Sequence, residues 1–234
     1  MKKWLIGGIA AVLVVVVGGP FLYIHVLSKK APPKLSLSTT ATTAGSSSDD
    51  PAVGSSDSSV PLDGTWKVSS GSTAGYRVKE VLFGQSNTAV GRTSSVTGQF
   101  VASGTTINSG SFTVDMTSVT SDKSMRDRQF QGRIMETSTY PTATFELTQP
   151  IDLGAVPADG ATKSVSATGK LTLHGVTKTV TIPLTARRTS NSIEVNGSLP
   201  ITFADWNISN PSFGGTVTTE DHGLLELLLK FAHA

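Results

Sequence analysis

The chain has 234 residues, 19 of them basic and 17 acidic, and no cysteine. Disulfides, thiolate metal sites and a lipid-modified cysteine anchor are therefore excluded, and any soluble domain must stand on its own hydrophobic core. Lys2, Lys3, Lys29, Lys30 and Lys34 precede residue 35, and Asp49, Asp50 and Asp57 fall before residue 61, so residues 61–234 keep 14 charges of each sign; that neutral body lacks the basic face nucleic-acid binding needs.

Residues 4–27, WLIGGIAAVLVVVVGGPFLYIHVL, carry no charge except at His25. As a helix this run would be ~36 Å long, enough for the hydrocarbon layer. Trp4 and Tyr23 sit near its ends, where aromatic belts form. It predicts an N-terminal transmembrane signal anchor over residues 1–30. The alternative is a cleaved signal peptide, against which stand the absence of an A-x-A site and apolar residues that continue past Pro20. Lysines flank both ends, so the positive-inside rule alone does not orient the span.

Residues 31–60 are Ser, Thr, Ala, Pro and Gly with little apolar content. Such a stretch buries too little surface to offset its ordering entropy, and it reads as a flexible linker.

Residues 61–234 read as one all-β domain. Apolar and polar residues alternate in short segments, the pattern of half-buried antiparallel strands. Phe112, Val114 and Met116 share one parity. So do Phe145 and Leu147, then Val165, Ala167, Leu171 and Leu173. HGVTK turns the chain, with Gly175 supplying positive φ, and Val180, Ile182, Leu184 and Ala186 return. Ile193, Val195, Leu199, Ile201 and Phe203 follow, and Leu225, Leu227, Leu229 and Phe231 close the pattern with Glu226 and Lys230 facing outward. Closure into a barrel removes the exposed edges of such a chain. One segment breaks the period of two: SDKSMRDRQFQGRIM fits a short, irregular helix capped by Ser121 or Asp122.

SMRDRQF followed by TYPTATFEL resembles the YceI-like family. GKLTLHGVTKTVTIPL, DGTWKV near the start and ITFADWNISNPSFGGTVTTEDHGLLELLLKFA at the end extend the resemblance over residues 62–233, in a version similar to actinobacterial members. It implies an extended, lipocalin-like antiparallel β-barrel with a short helix in a connection. It also implies a long internal tunnel for an isoprenoid lipid or isoprenoid quinone, and no cofactor beyond that ligand. Family members are typically periplasmic or secreted, which implies a single-pass membrane protein with its domain on the extracytoplasmic side, or a secreted one if the N-terminal segment is cleaved.

The candidate tunnel lining is Phe100, Phe112, Val114 and Met116, with Phe130 from the helical segment and Phe145 beyond it. Leu171, Leu173, Ile182, Leu184 and Phe203 complete it. The same alternation builds a filled barrel and a hollow one. Arg126 and Asp127 are either structural, as ion pairs and caps on a connection, or contacts to a ligand head group. Catalytic motifs are missing: there is no G-x-S-x-G and no H-E-x-x-H. His222, beside Glu220 and Asp221, matches no established metal spacing. The leading reading is a lipid-binding protein. The competing ones are a hydrolase using Asp221 and His222, and a filled barrel acting as a scaffold.

Overall fold

The alternating segments become antiparallel strands in the computed structural model, which describes residues 31–38, 61–82, 84–189, 191–212, 214–215 and 217–234. The apolar run 4–27 and linker residues 39–60 lie outside the described residues, so the expected anchor does too. Among the described residues no helix is long and apolar enough to cross a membrane.

The strands are β1 (Gly64–Val68), β2 (Thr73–Leu82), β3 (Gln85–Thr93), β4 (Val96–Ser103), β5 (Thr106–Asp115) and β6 (Thr142–Leu147). They continue with β7 (Ile151–Asp152), β8 (Thr162–Leu173), β9 (Val176–Thr189), β10 (Ser192–Thr202), β11 (Val217–Thr219) and β12 (His222–His233). Neighbours run β1-β4-β5-β6-β8-β9-β10-β12, and β12 pairs back onto β1, so these strands close a ring. The free edge of β12 is shared. Leu224–Leu228 pair with β2, and Phe231–His233 pair with β1. The β2–β3 hairpin is thereby carried beyond the ring, and a bridge from Arg92 to Thr120 ties its far strand to the chain leaving β5.

Local chemistry sets the ends of the strands. His174 and Gly175 both have positive φ (48° and 74°), the two-residue turn whose twist matches the strands it joins, β8 and β9. Met116 was expected on the same strand as Phe112 but opens a 3-10 turn. The Asp115 carboxylate accepts the Thr117 amide (2.9 Å) and ends β5 there. Phe203 likewise lies just past β10, in a 3-10 turn over Phe203–Trp206 that stops at Asn207 with φ 54°.

The helical segment forms as α1 (Ser124–Gln129), continued by a π-helical turn over Phe130–Ile134. Its cap differs from expectation. Neither Ser121 nor Asp122 is the N-cap; Lys123 takes that place without a side-chain hydrogen bond. Asp127 instead reaches back to accept the Ser121 amide (2.7 Å) and hydroxyl (2.6 Å), which holds the approach to the helix.

A second difference concerns the linker. Residues 31–38 are not a free tether but lie against the outside of the barrel. The prolines present carbonyls with no N–H to satisfy. Arg77 donates to the Pro32 carbonyl (2.7 Å), and Arg92 to that of Pro33. Asn196 donates to the Leu35 carbonyl (3.0 Å). Glu226 faces outward as expected, yet it is only 4% exposed, because Arg77 (3.1 Å) and Arg92 (3.5 Å) enclose it. Ser38 donates its amide (3.1 Å) and hydroxyl (2.6 Å) to Glu194, which also meets Arg187 (2.7 Å) and Lys230 (3.1 Å).

Burial of Glu194 disfavours its charge, but the hydrogen bonds from Ser38, Lys230 and Arg187 outweigh it and draw the carboxyl down to about 2. A depressed carboxylate stabilises the fold above its unfolded value, ~4.3. That contribution is lost as pH falls through about 2. Ser38→Ala should therefore lower the melting temperature at pH 7, and the gap to wild type should shrink towards pH 2. A gap that is independent of pH would show that Ser38 does not act through Glu194.

Candidate functional site

The inward positions of the ring enclose a cavity of about 1010 Å³. That is at the top of the ~300–1,000 Å³ range of small-molecule pockets. Every strand of the ring but β1 contributes, and Tyr76 and Val78 of β2 and Ala89 of β3 join them. Phe100, Phe112, Val114, Met116, Phe130, Phe145, Leu171, Leu173, Ile182, Leu184 and Phe203 all line it, the full set of candidate lining residues. Sequence reasoning left out Tyr76, Ile193, Leu225 and Leu227, though the last three share the parity it had assigned.

The cavity runs between two apolar clusters. One gathers Trp66, Phe100, Leu153, Ile193 and Phe231. Phe100 stacks near Trp66 (centroids 6.2 Å) and meets Phe231 edge-on (5.0 Å). The other gathers Val119, Phe130, Leu173, Phe203 and Trp206 under α1. There Phe130 stacks on Tyr76 (5.0 Å, 12°). Between the clusters, Phe112, Val114, Phe145, Leu184 and Leu227 point inward yet remain only half-buried. Their remaining surface faces the lumen, so the barrel is hollow along this stretch.

At the α1 end the lining carboxylates are paired. Arg126 lines the cavity and pairs with Glu80 (2.9 Å) and with Asp122. Burial disfavours its charge, but these carboxylates outweigh that and raise its pKa above the ordinary value. Burial also raises the Tyr76 phenol, keeping it neutral. Met125, 67% exposed, marks the rim. Asp127 is not among the lining residues, and its carboxylate accepts from Ser121, which is the structural one of its two candidate roles.

The hydrolase pair lies elsewhere. His222 Nδ1 contacts Asp221 (2.8 Å) and Nε2 contacts Glu220 (3.2 Å), all three outside the cavity. The His222 hydrogen bond lowers the Asp221 pKa. Among the described residues no group of three His, Asp or Glu is placed to hold a metal.

An all-β, antiparallel, eight-stranded barrel around an apolar lumen, with one short helix at its rim, defines a lipocalin-like class of protein. Residues 66–231 match the YceI-like domain, and the chain belongs to that family. A polyisoprenoid-binding domain from Saccharophagus degradans, implicated in plant cell wall breakdown, shares the fold with a TM-score of 0.59 and 20% identity. The alignment covers 73% of this chain and 98% of that one. A mutant of the Campylobacter jejuni YceI protein aligns with a TM-score of 0.50 and 16% identity, over 62% of this chain and 84% of that one. A UPF0312 protein of Vibrio parahaemolyticus is 40% identical over 70 residues, 30% of this chain and a third (33%) of that relative's length.

The two clusters predict different responses to truncation. Phe100→Ala should cost ~3–5 kcal/mol, because it opens a void in a packed cluster. Phe112→Ala should cost clearly less in delipidated protein, since part of its ring already faces open space. Thr113→Ala, of outward parity, should stay within about 0.5 kcal/mol. Urea unfolding of the three variants measures this; an equal, large loss at Phe100 and Phe112 would place both in a filled core.

Proposed function

We propose that this protein holds a long apolar chain, an isoprenoid lipid or isoprenoid quinone, inside its barrel, and that it binds rather than transforms it. The observation that carries this reading is the row of inward, half-buried apolar side chains around the lumen. Leaving such surface wet is costly. Each CH₂ moved from water into the lumen stabilises a complex by ~0.8 kcal/mol, so a long chain needs few polar contacts. Membership in the YceI-like family supports the same ligand class, as does the likeness of the fold to a domain described as polyisoprenoid-binding. The hydrolase reading is weaker, because His222 and Asp221 stand outside the cavity.

Organic extraction of the purified protein followed by mass spectrometry should recover a prenyl lipid in near-stoichiometric amount. Protein that is purified from its native membrane without such a lipid, and that takes none up from a prenyl-lipid mixture, would defeat the proposal.

The apolar run 4–27 and the Ser/Thr-rich linker support a tethered domain that works outside the cytoplasmic membrane, within reach of its lipids. External protease added to wall-stripped cells should digest the domain. Complete protection in intact cells, with digestion only after lysis, would place it inside.

A further inference from the structure

The two ends of the lumen differ in how their cations are paired. Among the described residues the carboxylates that reach it are Glu80 and Asp122, at the α1 end, where Lys123, Arg126 and Arg133 also line it. Arg126 holds both. The other end, bounded by Leu62, Leu153, Val156 and Pro157, has two lining cations, Arg188 and Lys163, and no lining carboxylate.

Arg188 is the sixth residue after Ile182 and keeps its parity, so it projects inward beside Ile193, its partner across the β9–β10 ladder. It is 8% exposed. Its backbone carbonyl accepts the Gly160 amide (2.8 Å), which seats the 153–161 connection over this end. Its side chain is not so engaged: Nε and Nη2 have no hydrogen-bond partner among the described residues. Buried N–H donors of a guanidinium left unpaired are costly, and folding alone gives no reason to keep them. Lys163 shares the parity of Val165 and opposes Ala186. That makes it a diagonal neighbour of Arg188, ~7–8 Å away across the ladder, within reach of one shared group.

We infer that Arg188, assisted by Lys163, forms an anion-binding subsite at the end of the lumen away from α1, and that it receives the phosphate or diphosphate head group of an amphiphile whose chain fills the barrel. The inference rests on the lumen-binding reading above and adds the charge of the ligand and its direction. A planar guanidinium binds phosphate oxygens through two parallel N–H bonds, and the ammonium adds a mobile second charge. The exit of water from this apolar end strengthens both contacts.

The test compares farnesol with farnesyl phosphate, the same chain with and without the anion, titrated into delipidated full chain. The wild type should bind the phosphate at least about tenfold tighter, the usual worth of a charged hydrogen bond in a dry site. Arg188→Gln should remove that preference and leave farnesol affinity unchanged. It should also raise, or at least not lower, the melting temperature of the empty protein. Arg188→Lys should keep part of the preference, and Lys170→Gln, on the outer face, should keep all of it. Equal binding of the two probes by wild type overturns the subsite but not the lumen, and so does a preference that survives Arg188→Gln. A loss of stability in Arg188→Gln with no change in preference assigns Arg188 to the fold. Failure of wild type to bind either probe overturns the lumen reading itself, and the subsite with it.

Discussion

The structure depends on one shared edge. β12 gives one side wholly to β10 and divides the other between β2 and β1. Without the β1 pairing, the sheet would keep two open edges around an apolar face, in a chain with no disulfide to close it. With it, eight strands form a ring, and that number fixes an interior about wide enough for one layer of side chains or one slender ligand. Which of the two occurs is decided by the sizes of the inward residues. Trp66, Phe100 and Phe231 narrow one end by packing together, whereas the middle offers residues such as Val114, Ala186 and Leu227 and stays wider.

The outer face is organised by different physics. Glu226 and Glu194 are acids buried on the polar side of the sheet, and each is held by two basic side chains. Residues 31–38 lie over both. Pairing alone seldom makes buried ions favourable, but it does specify geometry. Here the geometry seats the start of the linker on β2, β3 and β10. A domain tethered by that linker would have its orientation set close to the barrel rather than left to the full length of the chain.

Most of the strand framework was legible in the sequence because a half-buried strand advertises its two faces. Ile182, Leu184 and Ala186 define a parity that the structure keeps, and HGVTK turns where His174 and Gly175 take positive φ. The hollow middle was not legible, since Phe112 shows the same alternation whether its ring meets another side chain or open space. Residues 31–38 were missed because their partners are distant: Ser38 and Glu194 are separated by 156 positions, and composition reports only local tendencies. Arg126 and Asp127 drew notice as a cluster, yet the structure engages both with neighbours. Arg188 was overlooked although the signal was present. In the Arg187–Arg188 pair on an alternating strand one residue must face inward, and the parity of Ile182 selects Arg188.

The central claim is that the barrel is a container. The most direct measurement is an electron-density map of the protein crystallised with the lipid that copurifies with it. The account predicts one continuous, unbranched tube of density through the lumen, running past Phe112 and Leu184, in contact with the half-buried side chains. A lumen closed by rearranged side chains, or one that holds only separate water peaks, would contradict it.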